Sequence, residues 1–136
     1  MRAIALALFL CAAPAWATNV LFAPYIDPLT HQRDILYLTD RRSVDCSGEW
    51  RAARVEKNHG GAVPTTPICW AFGSMSGYYD IAFASTGMVN RDVGGFALVP
   101  GAQKAWQAVL AERMQAMEHQ ATRQRRAWGP GLAPHP

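Results

Sequence analysis

The sequence predicts an α+β domain: a small antiparallel β-meander of about four to six strands, one C-terminal amphipathic helix and one disulfide. Three observations predict this fold. Short β-type runs alternate with turn residues, which favours hairpin-linked strands over a parallel sheet. After Pro100 the composition changes to Ala, Gln, Glu, Met and Arg, which is typical of a helix. Two cysteines remain after an N-terminal leader, and we expect them to pair.

The first 17 residues have the pattern of a secretory signal peptide. A cationic start precedes an apolar run of 11 residues, Ala3–Ala13, and the small-residue pattern Ala15-Trp16-Ala17. The run is shorter than the roughly 18 residues that span a bilayer, so we expect cleavage after Ala17 rather than an anchor. Cys11 leaves with the leader. The sequence therefore predicts a periplasmic or secreted protein whose mature chain begins at residue 18.

Cys46 and Cys69 are the two cysteines of the predicted mature chain. Their bond closes a loop of 24 residues, which is worth about 3.4 kcal/mol in the chain-entropy model. A redox-active pair is disfavoured because the spacing is not Cys-x-x-Cys. Zinc needs more ligands than two cysteines and scattered histidines. We therefore expect a structural disulfide, with no metal and no cofactor.

Residues 18–100 are predicted to form the β domain. The segment 18–33 contains Pro24 and Pro28, which indicates an extended lead-in with at most a short edge strand around Val20–Phe22. Runs rich in aliphatic and aromatic residues then predict the other strands. In order, these are Ile35–Thr39, Trp50–Glu56, Ile68–Phe72 and Tyr78–Ala84, followed by short elements at Met88–Val89 and Phe96–Val99. The last of these is a sixth strand or a cap on the core.

Residues 101–127 are predicted to form the helix, and residues 128–136 a flexible tail rich in Pro and Gly. Apolar residues recur at helical spacing and form a stripe along the helix, which consists of Trp106, Leu110, Met114, Met117 and Ala121. Val109 with Arg113 is the alternative for the middle of this stripe. Residues 18–100 carry seven basic and eight acidic residues, whereas residues 101–136 carry five and two. The positive balance of the mature chain therefore belongs to the helix and tail.

No catalytic constellation stands out. Gly73–Gly77 differs from the Gly-x-Ser-x-Gly nucleophile elbow because Met75 is central and the segment joins two strands, so we interpret it as a hairpin loop. His59 lies in a Gly-rich loop and is the most suggestive histidine, although most loop histidines are only solvated. Four carboxylates could include an acid/base pair, but turn and surface roles explain them with fewer assumptions; they are Asp40, Asp45, Glu49 and Asp80. We assign no catalytic residue.

A candidate binding surface combines loop, strand and helix residues: His59, Trp70, Tyr78, Tyr79, Arg123, Arg125 and Arg126. The strand aromatics pack in the core by default and form a patch only if their face of the sheet is uncovered. The stripe through Trp106 suggests that the helix covers that face. The three arginines suit an anionic membrane or polymer, but they also complement the helix dipole. Nucleic acid is disfavoured because the basic run is short.

Several segments together carry a family resemblance: Ile35–Asp40 with its Leu-Thr-Asp end, Cys46, Ala52-Ala53, Cys69-Trp70 and Tyr79–Phe83. This arrangement, covering about residues 35–96, is similar to a group of short exported proteins encoded by bacteriophages, prophages and proteobacteria. The resemblance implies a signal peptide and a phage or cell-envelope setting. The resemblance does not indicate which activity, if any, the protein has.

The sequence therefore favours a non-enzymatic binding or accessory module of the cell envelope, whose partner is an unknown protein or envelope component. Two alternatives stay open. One is an envelope-active hydrolase or lysis accessory factor that uses His59 and a nearby carboxylate. The other is a peripheral membrane binder that acts through the basic C-terminal helix.

Overall fold

A computed structural model describes residues 17–27, 30–58 and 66–128. These residues form a curled antiparallel sheet of seven strands and one long helix. The elements are β1 (Asn19–Ile26), β2 (Arg33–Thr39), β3 (Arg51–Glu56), β4 (Ile68–Phe72), β5 (Tyr79–Phe83), β6 (Met88–Val93), β7 (Ala97–Leu98) and α1 (Gln103–Trp128). The α+β class is confirmed, although the sheet has more strands than the four to six predicted.

The sheet order is β6-β5-β4-β3-β2-β1-β7. The first six strands form the predicted meander, in which each strand pairs with the next. β7 departs from it, because the chain returns across the domain and pairs β7 with β1. The sheet therefore ends in β6 on one side and in the two-residue β7 on the other.

β1 corrects the sequence prediction of a lead-in with a short edge strand. It is a full strand of eight residues that pairs with both β2 and β7. Pro24 pairs with β2 but lies beyond Leu21 and Phe22, the two residues that pair with β7. The missing N–H of Pro24 is therefore not needed on the β7 side, and the proline does not confine β1 to the edge.

The remaining elements match the predicted ones closely, apart from the length of β6 and the end of α1. β6 extends to Val93, although residues 90–92 are polar, because backbone pairing with β5 holds this polar segment in the sheet. α1 continues to Trp128, where the sequence predicted the tail to begin. The predicted leader, except its last residue, and residues 129–136 of the tail lie outside the described residues.

The core lies on the concave face of the curled sheet. Strand register brings the alternate, inward residues of neighbouring strands together: Leu36 pairs with Val55, and Trp70 with Ile81. The rings of Tyr25 and Phe83 stack with centroids 5.9 Å apart. Because their strands are four positions apart, about 19 Å in a flat sheet, this contact requires strong curling. The inward residues therefore enclose a continuous hydrophobic core.

The disulfide lies on the convex face. Cys69 points away from its neighbour Trp70, as the strand period predicts, and is bonded to Cys46 with a Cα–Cα distance of 5.7 Å. The predicted pairing is confirmed. It ties the loop that follows β2 to the middle of β4.

The first half of α1 covers the open side of the concave face. Val109 is buried, and the Trp106 ring lies 5.8 Å from Phe72 and 6.4 Å from Trp70. Of the two apolar lines predicted along the helix, the one through Val109 and Arg113 faces the sheet. Met114 and Met117, on the other line, are exposed.

Candidate interaction site on the C-terminal helix

Trp70 and Tyr79, two residues of the predicted binding surface, belong to the core. Trp70 has no exposed surface, and its indole Nε1 donates a 2.9 Å hydrogen bond to the Thr39 carbonyl oxygen. Tyr79 packs edge-to-face against Trp70 and Trp106, and burial raises the pKa of its hydroxyl despite the nearby positive charge of Arg113. The helix covers these aromatics, so they are not available to a ligand.

An ion pair fixes the middle of α1 to the sheet. Arg51 is an inward residue of β3, and its buried guanidinium donates a 2.7 Å hydrogen bond to the Glu112 carboxylate. A second nitrogen of Arg51 donates to the Asp40 carbonyl oxygen, and Arg42 lies 3.6 Å from the same glutamate. The hydrogen bond from Arg51 lowers the pKa of Glu112, against an opposing effect of burial. Glu112 therefore stays ionised and holds the helix in place.

The helix leaves the sheet shortly after this ion pair. The Arg113 guanidinium stacks over the Phe72 ring at 4.3 Å, and Ala116 is still half-buried. Beyond Ala116 every described residue is exposed except Thr122, whose hydroxyl donates to the Glu118 carbonyl oxygen of the same helix. We call residues 114–128 the projecting half of α1. It extends over about 22 Å, since each helical residue adds about 1.5 Å.

One face of the projecting half carries most of its apolar residues. Met114, Met117, Ala121 and Trp128 follow each other at spacings of three, four and seven residues, which places them on one side of a helix. The exposed fractions are 71% for Met114, 56% for Met117 and 55% for Trp128. We call these four residues the exposed stripe. Exposed apolar residues in a row on one element are typical of a binding surface.

The charge of the projecting half is strongly positive towards its end. Arg123, Arg125 and Arg126 are all exposed, and no acidic residue follows Glu118. These arginines complement the negative end of the helix dipole. They also place positive charge around the C-terminal end of the exposed stripe, so the element suits a partner that is both apolar and negatively charged.

The structure separates the other predicted surface residues from this element. Tyr78 is 40% exposed in the β4–β5 hairpin, where Gly73 donates a backbone hydrogen bond to its carbonyl. Its ring packs closely on Gly94, where an added Cβ would lie 2.9 Å from it. His59 lies outside the described residues, so the hydrolase hypothesis built on it stays a prediction.

Carboxylates that the sequence offered as acid/base candidates hold turns and strands together. Asp80 is buried and accepts hydrogen bonds from the Arg91 side chain and from the backbone amide of Asp92. Asp92 has a positive φ of 52° and lies at the irregularity in the pairing of β5 with β6. Asp40 accepts a 2.8 Å hydrogen bond from the Thr18 amide. These contacts fix backbone geometry and give no indication of proton transfer to a substrate.

Sequence reasoning missed a buried charge cluster at the far end of the core. The Lys57 ammonium lies 2.9 Å from the carboxylates of both Asp27 and Asp34, and Asp34 is fully buried. Hydrogen bonds to Asp27 and then Asp34 raise the pKa of Lys57, so it stays protonated and is no nucleophile. Asp34 lies on the same inward face of β2 as Leu36 and Leu38. A carboxylate in that position should have indicated a buried cationic partner.

No protein-family model matches the chain, and neither a curated protein nor a solved structure matches it. Within residues 17–27, 30–58 and 66–128, no group of three or more His, Cys, Asp or Glu side chains is placed to hold a metal ion. In the same part of the chain, no helix is long and apolar enough to cross a membrane. The chemistry of the site must therefore be inferred from its own residues.

Proposed function

We propose that the protein is a non-enzymatic binding module of the cell envelope, and that it attaches to a negatively charged partner through the projecting half of α1. The curled sheet holds the helix, and the projecting half makes the contact. The single observation that carries the proposal is that this half is exposed, apolar on one face and cationic towards its end.

The interior of the described domain supports a binding role over catalysis. Every buried side-chain nitrogen or oxygen atom in the described residues has a hydrogen-bond partner within the protein. The polar groups of Asp34, Arg51 and Asp80 are occupied by ion pairs with neighbouring elements. Catalytic sites usually contain polar groups aimed at a substrate, and these groups are aimed at each other.

The projecting half is longer than folding requires. The packing of Val109, the ion pair of Glu112 and the stacking of Arg113 all lie before residue 114. A helix that served only to close the core would gain little from residues that remain in water, since burial is what stabilises helices in proteins. The additional turns therefore suit an external partner.

Three features support the envelope as the setting of the interaction. The leader pattern of residues 1–17 predicts export. The disulfide between Cys46 and Cys69 is of the kind that persists in oxidising compartments. The resemblance to exported proteins of phages and proteobacteria implies the same setting.

Co-sedimentation with an isolated bacterial envelope fraction tests the proposal. We expect the wild-type protein to sediment and the triple variant Arg123→Gln/Arg125→Gln/Arg126→Gln to lose binding by about tenfold or more, because each arginine contributes to attraction by an anionic surface. The proposal is wrong if the wild type stays in the supernatant, or if the triple variant sediments equally well.

The matched control has the same change in net charge at other exposed positions. Arg33, Arg41 and Lys104 are exposed and lie outside the projecting half. Their combined replacement by Gln should leave sedimentation close to that of the wild type. Equal losses in both triple variants would show that net charge alone drives the binding, which also contradicts the proposal.

A further inference from the structure

Resting on the proposed function, we infer that the negatively charged partner of the projecting half is an anionic lipid surface, on which the helix lies with its exposed stripe in the interfacial region. The inference names the partner class of the same element. It depends on the position of the stripe, on the arrangement of charge around it and on the kind of side chains that it presents.

The exposed stripe lies beyond the residues of α1 that pack on the core rings. Trp106 belongs to the same line of the helix but contacts Phe72, whereas Met114 and Met117 are exposed. The face that packs on the sheet runs through the buried Val109 and continues to the half-buried Arg113 and Ala116. The exposed stripe begins at Met114, one residue after Arg113, and one residue is a rotation of about 100°. The stripe can therefore contact a surface without any change in the packing of the domain.

Charge and aromatic residues meet at the end of the helix. Arg125 lies three residues before Trp128 and therefore next to it on the helix surface. Tryptophan favours the membrane–water interface, where its ring is apolar and its N–H is hydrated, and arginine there meets lipid phosphates. Arg123 and Arg126 add positive charge on the side of the helix that would face the headgroups and water.

The side chains of the exposed stripe favour a fluid surface over a groove in a protein. A helix that docks in a protein groove usually presents large anchors on successive turns. Here Met117 and Trp128 are separated by Ala121 and the polar Gln124 on the same face, so two turns have no large anchor. Flexible methionine side chains and a terminal tryptophan can enter a lipid interface independently of each other, because that surface needs no fixed shape.

Vesicle binding of the full chain tests the inference, with phosphatidylcholine vesicles that contain or lack phosphatidylglycerol. We expect binding only to the vesicles with phosphatidylglycerol, weakened by high salt. Arg123→Gln/Arg125→Gln/Arg126→Gln should lower the binding constant by about 100-fold, since each arginine near an anionic bilayer contributes about fivefold. Met114→Gln/Met117→Gln/Trp128→Gln removes the apolar contribution of the exposed stripe and should lower the binding constant by about tenfold or more.

A matched control removes equally exposed apolar side chains elsewhere. Ile26, Met75 and Met88 are exposed to an extent similar to Met117 and Trp128, and their joint replacement by Gln should leave vesicle binding unchanged. An unchanged midpoint of chemical unfolding shows that each variant is folded. Equal binding to both kinds of vesicle, or equal binding by all variants, overturns the inference.

The outcomes separate this inference from the function on which it rests. If the protein fails to bind phosphatidylglycerol vesicles but still sediments with the envelope fraction through Arg123, Arg125 and Arg126, the binding function stands and the lipid assignment is wrong. Protease treatment of the envelope that removes this sedimentation would then identify an acidic protein as the partner class. If the protein binds neither vesicles nor envelope, both proposals are wrong.

Discussion

The Arg51 guanidinium lies 2.7 Å from the Glu112 carboxylate and joins β3 to α1 across 61 residues of sequence. Arg51 is buried within the sheet, whereas Glu112 is half-exposed at the point where the helix leaves it. This ion pair fixes where the packed half of α1 ends and the projecting half begins.

Replacement of Glu112 by Gln should destabilise the domain by about 1 kcal/mol. A buried guanidinium loses its charged partner, but exposure of Glu112 and the remaining bond from Arg51 to the Asp40 carbonyl oxygen limit the cost. Chemical denaturation measures the change in the free energy of unfolding. Glu118→Gln, on the projecting half, should change it by less than about 0.5 kcal/mol. Equal effects of the two substitutions would contradict the anchoring role.

The stabilising effect of Glu112 should depend on pH. Its pKa is lowered in the folded protein, chiefly by the hydrogen bond from Arg51. The carboxylate therefore stabilises the fold above the ordinary pKa of glutamate, and this contribution is lost as the pH falls through the lowered pKa. The difference in unfolding free energy between wild type and Glu112→Gln should be constant near neutral pH and shrink below about pH 4. A difference that persists unchanged to about pH 3 would argue against the ion pair.

Removal of the disulfide should cost about 3 kcal/mol. The bond between Cys46 and Cys69 restricts the unfolded chain by closing a 24-residue loop. Denaturation of Cys46→Ser/Cys69→Ser, with and without a reducing agent, measures the effect. The reducing agent should lower the stability of the wild type to that of the variant and leave the variant unchanged. An unaffected wild type would show that the bond contributes nothing to stability.

Replacement of Gly73 by Ala should destabilise the β4–β5 hairpin by about 2 kcal/mol, because there is no space for a side chain. An added Cβ would overlap the Asp92 carboxylate, which accepts hydrogen bonds from the Ser74 amide and hydroxyl, and would lie 2.7 Å from the Tyr78 carbonyl oxygen. Ser76→Ala, in the same exposed loop, should have almost no effect on the unfolding free energy. A tolerated Gly73→Ala would mean that the loop relaxes freely.

The sequence predicted those parts of the fold that depend on local pattern or simple counting. The strand Ile68–Phe72 has a dense aromatic and aliphatic run and no competing signal, so its bounds agree with the structure. The disulfide followed because two cysteines permit only one pairing. The length of β1 was underestimated because Pro24 suggests an edge strand, and only the position of β7 shows that no β7 residue lies opposite this proline.

The prediction of the site failed where tertiary packing decides exposure. The alternation of residues showed that Trp70 lies opposite Cys69, but it could not show that α1 covers Trp70 and Tyr79. Helical spacing likewise offered two apolar lines without indicating which one meets the sheet. The three arginines of the predicted surface are exposed, as charged residues at a helix end usually are.

The most direct test of the binding role is photo-crosslinking in intact cells. A photoreactive amino acid replaces Met117, on the exposed stripe of the projecting half, or Asn90, an exposed residue of the edge strand β6. We expect a crosslink to an envelope lipid or protein from position 117 and none from position 90. A crosslink from position 90 alone, or none from either, would contradict the conclusion that the protein binds through the projecting half of α1.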